Sequence, residues 1–427
     1  MHPVGPKVRS NISAVAPRFG STKLAAAATR GVLTLAVLST LLLIAARSTH
    51  AQTETVLYNF TRLPDPIQPF SGLTFDGSGN LYGTTYYGGP QNAGTVFELS
   101  PNGNGGWNES VLYSFCSEGG QSCTDGQRPD FAYLIFDSAG NLYGTTCFGG
   151  ANGYGVVFEL RSMGTSWNER VLYSFAGGTD GACPVNGLIM DPAGNLYGTT
   201  ANSGGAYETV FKLNPSASGW TKKVIYTANP SGSITIAGLT MDAAGNIFGV
   251  TSSTVFELSP SGNGGWNSSV IYTFPGYLRD GVEPQGTPVL DQAGNLYGTT
   301  LAGGANNTGT VYKLTHGKNG WTEKRLYSFR GHKKDGNTPY GGIVFDRAGN
   351  IYGTTELGGG TSDDGTVFEL VAPLGKGPYI EKILWSFTGT DGSHPVDSLI
   401  LDSVGNLYGT TWVGGLSGNG VVFELTP

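Results

Sequence analysis

The sequence predicts an all-β fold: a seven-bladed β-propeller of four-stranded antiparallel blades, with the ring closed by an N-terminal strand that joins the last blade. Three observations lead there. The stretch DSAGNLYGTT at Asp137 has near-copies beginning at Asp76, Asp191, Asp242, Asp291, Asp346 and Asp402, and their spacing of 49 to 61 residues is the period of a repeat architecture. Each copy lies in a unit of four short apolar runs, which in the second unit are LIFD, NLYGTT, GVVFEL and RVLYSF. Bounded by Gly, Asn, Asp and Pro, such runs read as strands a, b, c and d of one small sheet. Runs such as VLYSF are also apolar on both faces, so both must be covered, and radial stacking on neighbouring sheets supplies the cover.

Residues 1–51 stand apart. They hold six basic residues (Lys7, Arg9, Arg18, Lys23, Arg30, Arg47), no acid, and an apolar run from Gly31 to Ala46. Thr49 and Ala51 offer small residues at the minus-three and minus-one positions of a cleavage site, so the segment reads as a signal peptide. The alternative is a retained anchor, although the sixteen-residue run falls short of the roughly 20 needed to span a bilayer. Without this segment the chain would carry 18 basic against 31 acidic residues, a formal charge of −13. That balance excludes attraction to nucleic acid or anionic lipid, and no membrane contact is expected beyond the leader.

Residues 52–427 are expected to form one propeller domain. Its blades fall at about 70–115, 131–175, 187–228, 237–274, 287–329, 341–387 and 398–426, the last completed by residues 55–60. The final unit, SLILD, NLYGTT and VVFEL, stops at Pro427 without a d strand, and TVLYNF at residues 55–60 can supply one. A linear solenoid would instead end in atypical caps. Gly, at 69 of 427 residues, has about twice its usual share, yet aromatic and β-branched residues abound, as in a packed, turn-rich β protein.

The recurring stretch is the a–b hairpin. Asp137 can close an Asx turn, Gly140 supplies a positive φ and Asn141 tolerates similar geometry. Gly144 falls mid-strand, where a missing side chain implies close approach of another backbone.

DxxGNLYGTT, a GG-containing loop, GTVFEL, a Trp-containing turn and VLYSF together resemble the GloVer repeat, the tandem repeat named for Gloeobacter and Verrucomicrobia proteins, over nearly all of residues 55–427. The resemblance implies exported bacterial surface proteins without an assigned activity, often with a C-terminal sorting anchor; here nothing follows FELTP. The hairpin is also similar to those of NHL-type and lyase propellers, a likeness of fold only.

Most repeated residues read as structural. The DxxGN aspartates offer one carboxylate per loop, without the terminal acid of a calcium loop, and are turn caps. Glu98, Glu159, Glu257, Glu369 and Glu424, replaced by Lys212 and Lys313 in blades three and five, are expected to face solvent. Trp107, Trp167, Trp220, Trp266 and Trp321 open the d strands and are expected to pack between hairpins. The DGxxP loops at Asp125, Asp180, Asp280, Asp335 and Asp391 read as turns.

Function needs residues that occur once, and the long b–c and d–a loops share one face. After the TT of strand b, blades seven, one and two place Trp412, Tyr86 with Tyr87, and Phe148. These are candidate ligand-binding aromatics, suited to sugar rings or to a partner's side chains; the alternative is packing beneath their own loops. Blade six carries Arg330, His332, Lys333 and Lys334 in the loop leading into it, and Glu356, Asp363 and Asp364 beyond strand b, a candidate charged rim or a self-compensating patch. Of three connectivities for the four cysteines, the loop positions favour Cys116 with Cys123 and Cys147 with Cys183. No metal site, cofactor or catalytic set is expected, since GxSxG, HExxH, P-loop and CxxC motifs are missing. Three classes of function follow: an exported, secreted or periplasmic binding module for a carbohydrate or envelope-protein partner; a polysaccharide-acting lyase or hydrolase with an axial site near Asp335, His394 and Asp397; or a purely architectural secreted protein.

Overall fold

The computed structural model describes residues 52–117, 123–201, 207–228, 237–276, 281–331 and 335–426. Among them the chain is all-β, without an α-helix, and forms seven four-stranded antiparallel blades. The blades span residues 74–114, 135–174, 182–227, 240–273, 289–328, 344–386 and 400–426. In the seventh, Thr53–Asn59 lies outside Val421–Thr426, with Val56 opposite Phe423 and Tyr58 opposite Val422. No described helix is long and apolar enough to cross a membrane.

Local chemistry makes each blade. Asp137 Oδ1 accepts from the Ala139 and Asn141 amides at 2.8 and 2.9 Å, while Oδ2 accepts from Asn141 Nδ2 and the Tyr143 hydroxyl. Gly140, at φ 83°, turns the chain. The mid-strand glycine makes room for a side chain rather than for a backbone, which corrects the expectation. A Cβ on Gly144 would lie 2.6 Å from Phe158 Cζ, and the other blades repeat this, as at Gly83 with Phe97 and Gly409 with Phe423. The ring so admitted is fully buried.

Packing energy lies between blades. One cluster joins Tyr82 and Val96 of blade one to Leu134, Leu142 and Phe158 of blade two. Another joins Tyr408 and Val422 of blade seven to Leu73, Leu81 and Phe97 of blade one. The tryptophans pack across these same interfaces, Trp167 against Tyr82, Trp266 against Tyr197 and Trp321 against Phe248.

The solvent-facing reading of the GTVFEL glutamates is overturned for Glu159 and Glu369, while Glu98, Glu257 and Glu424 are half-buried. Glu159 and Glu369 are only 3% and 7% exposed. Glu159 accepts the Tyr143 hydroxyl at 3.0 Å, and Glu98 and Glu424 do the same for Tyr82 and Tyr408. Where lysine replaces the acid, its ammonium lies over the same ring, Lys212 on Tyr197 and Lys313 on Tyr297.

Candidate functional site

On the long-loop face, six of the loops leading into blades are zipped to their own blade's b–c loop among the described residues, as at Ile67 with Tyr87, Gln127 with Phe148 and Ser393 with Val413. This pairing holds the loop tips rigidly around the axis. The axis itself is crossed twice. Phe131 of blade two stacks on Tyr340 of blade six at 5.4 Å and 14°. The Tyr133 hydroxyl of blade two meets Thr287 Oγ1 near blade five at 2.5 Å. Blades three apart in a ring of seven face one another across its centre, so these contacts floor an axial mouth.

Phe70 organises the mouth. Its ring lies 4.8 Å from Trp412, 5.6 Å from Tyr86 and 5.6 Å from Phe131, which joins blades seven, one and two. Tyr87 packs edge-on to Tyr86. The Arg128 guanidinium sits over Tyr86, Tyr87 and Phe148 at 5.5, 5.2 and 5.8 Å, so the outer aromatics partly serve an internal cation. Phe70, Tyr86, Tyr87, Phe131, Phe148, Tyr340 and Trp412 all remain half-buried, with area left for contact.

Ionisable groups border this floor. His394 lies edge-on to Trp412, with ring centroids 6.0 Å apart. Its Nδ1 meets the Ser393 hydroxyl, which donates to Asp364 Oδ1. Because the serine proton goes to the carboxylate, the serine oxygen accepts from His394 Nδ1–H. Burial raises the Glu356 carboxyl, opposed by the nearby His394 charge. Burial alone lifts Asp130 to about 6. Tyr340 is pushed up to about 12 by burial, then by the charges of Asp130, Glu356 and Asp397.

The other candidates separate. Lys333, Lys334 and His332 lie outside the described residues. Asp363 caps its own loop by accepting from the Gly358 amide. Asp335 accepts from the Tyr327 hydroxyl and the Arg330 amide, as Asp125 does from Tyr113 and Ser117, and as Asp391 does from Trp385 and Thr388. These are loop caps, so Asp335 holds structure. Asp397, 8% exposed, accepts from the Gly72 and Ser398 amides at 2.6 Å, and its burial raises the carboxyl to about 7. The cysteines form Cys116–Cys123 and Cys147–Cys183 bonds. Asp130 lies beside the second, but sulfurs bonded to each other are not metal ligands.

Sequence reasoning missed Phe70, Phe131, Tyr340, Arg128 and Asp130. A signal was there: PF, PDF and PY put an aromatic just after the loop proline in blades one, two and six, where blades three and seven have PV.

The fold is a seven-bladed propeller with an aromatic cluster at the centre of its long-loop face. The chain belongs to the Gloeobacter/Verrucomicrobia repeat family, whose model matches residues 120–254 and 252–427. No curated protein matches. Among solved structures it is similar to a streptogramin B lyase (15% identity, 88% of this chain and 97% of that one, TM-score 0.55). It is also similar to a catalytically inactive His-to-Ala variant of virginiamycin B lyase from Staphylococcus aureus with Quinupristin (14% identity, 88% and 99%, TM-score 0.55). A third likeness is to a putative 6-phosphogluconolactonase from Bacteroides uniformis (14% identity, 83% and 100%, TM-score 0.50). At these identities the likeness is one of fold.

Proposed function

We propose that the chain is an exported binding propeller that takes a carbohydrate in its axial mouth. The observation that carries this reading is the simultaneous contact of Phe70 with Trp412, Tyr86 and Phe131. Flat, half-buried rings at the centre of a rigid face suit the apolar face of a sugar ring, while Glu356, His394 and Asp130 supply hydrogen-bonding groups at its edge. The basic and apolar leader, the net acidity of residues 52–427 and the two disulfides support an exported, surface or periplasmic setting.

The test is an array of defined oligosaccharides, followed by titration of each hit. Phe70→Ala and Trp412→Ala should each weaken binding by about tenfold or more, a loss of about 1.4 kcal/mol. An array without hits, or hits indifferent to both substitutions, removes the reading and leaves a protein partner to be sought by pull-down.

A second reading, a polysaccharide-acting lyase or hydrolase, is favoured by the His394–Ser393–Asp364 chain, which orients an imidazole beside the aromatic floor. It expects new reducing or unsaturated chain ends from a polysaccharide panel, lost in His394→Gln. Unchanged substrates across the panel would end it.

A further inference from the structure

Six blades share a backbone feature that the function above does not use. The residue immediately before the loop proline has a left-handed φ: Gln68 (57°), Arg128 (55°), Cys183 (51°), Glu283 (57°), Thr338 (59°) and His394 (59°). The corresponding stretch of blade four lies outside the described residues. Glycine holds such a conformation with least strain, and this chain uses glycine at most of its left-handed turns. At these six positions it keeps a side chain instead.

The backbone there is stapled from both sides. The amides of Gln68, Arg128, Cys183, Thr338 and His394 donate to carbonyls of the preceding blade's b–c loop, at Asn419, Ala93, Tyr154, Thr308 and Asp364. The carbonyls of Gln68, Arg128, Thr338 and His394 accept from Tyr86, Cys147, Glu356 and Trp412, the residues that follow strand b in their own blades. A common frame therefore presents a different side chain in each blade.

Two of these side chains meet the preceding blade's residue after strand b. Cys183 is bonded to Cys147, Arg128 lies over Tyr86, and His394 and Glu356 occupy in blades seven and six the positions that the bonded cysteines hold in blades three and two. One pair is covalently closed, one is a cation on an aromatic ring, and one is an acid with an imidazole beside the aromatic floor. A rigid frame whose side chains vary around a ligand mouth is the arrangement of a recognition surface, where strained backbone is retained because the side chain is used.

We propose that this pre-proline ring determines which carbohydrate the mouth accepts, with the Glu356–His394 pair reading a hydroxyl pair on the sugar's edge. The proposal rests on the carbohydrate reading above. Its test compares the unaltered chain with His394→Gly, Gln68→Gly, Thr338→Gly and Glu356→Gln on the same oligosaccharide array, with thermal midpoints measured in parallel. The glycine variants should keep or raise the midpoint, because the backbone is relieved. His394→Gly and Glu356→Gln should lose at least tenfold in affinity for the best oligosaccharide, and Gln68→Gly or Thr338→Gly should reorder the hits. Hits of unchanged rank and affinity in all four variants overturn the ring while leaving the carbohydrate reading standing. An array blank for the unaltered chain ends both.

Discussion

Glu356 and His394 stand in blades six and seven where Cys147 and Cys183 stand in blades two and three: each pair joins the residue after strand b to the pre-proline residue of the next blade. The Cα atoms of the bonded pair are 3.8 Å apart. Repeat geometry should carry that closeness to the other pair. Glu356→Cys combined with His394→Cys is therefore expected to form a third disulfide, visible by mass spectrometry of a non-reduced digest. It should raise the thermal midpoint, since such a bond commonly contributes about 2–4 kcal/mol. Two free thiols after oxidation would show that the blades are not equivalent here.

Stability should fall as pH rises from about 4 to about 7. Burial raises Glu54, Glu109 and Asp397 to about 7, with Asp391 reinforcing the shift at Glu54 and Asp65 at Glu109. Asp130 is raised to about 6 by burial. The folded state holds these protons more tightly than the unfolded chain, whose carboxyls titrate near 4. The stabilisation is therefore complete below the unfolded values and is lost as pH climbs through the folded ones.

The turn aspartates work in the opposite direction. Hydrogen bonds from Asn141, Asn195 and Asn295 outweigh burial and hold Asp137, Asp191 and Asp291 below their ordinary value. Their contribution is present above the unfolded pKa and vanishes as pH falls through the folded one. Thermal scans from pH 3 to 9 should thus peak near pH 4, and Asp397→Asn should flatten the alkaline side. A midpoint that climbs steadily to pH 8 would contradict the burial of these acids.

Gly144→Ala should destabilise the protein by about 1–3 kcal/mol, the usual range for overpacking a filled core. The added methyl would meet Phe158 and Leu134, both fully buried, at 2.6 and 2.9 Å. Pairing it with Phe158→Leu should recover part of the loss in chemical denaturation. Full tolerance of the single change would mean the ring can move aside.

Deleting residues 52–61 should remove cooperative unfolding or promote association, because the outer edge of Val421–Thr426 would lose its partner Thr53–Asn59. Calorimetry and light scattering on the shortened chain provide the check. A sharp transition at the original midpoint would show that the strand is dispensable.

What the sequence determined by itself is local chemistry and its repetition, from which the blade count, the closing strand and the cysteine pairing follow. The Asx turn at Asp137, the positive φ of Gly140 and the two-faced apolar strands are local chemistry, and seven copies of local chemistry specify a blade count. Tertiary structure alone decided how side chains distant along the chain would meet. Nothing near Phe70 announces Trp412, because only the circular arrangement of blades brings them to 4.8 Å. The physical reason is that turn and strand preferences act over neighbouring residues, whereas a site at the axis is assembled from loop tips that share no local interaction until the ring exists.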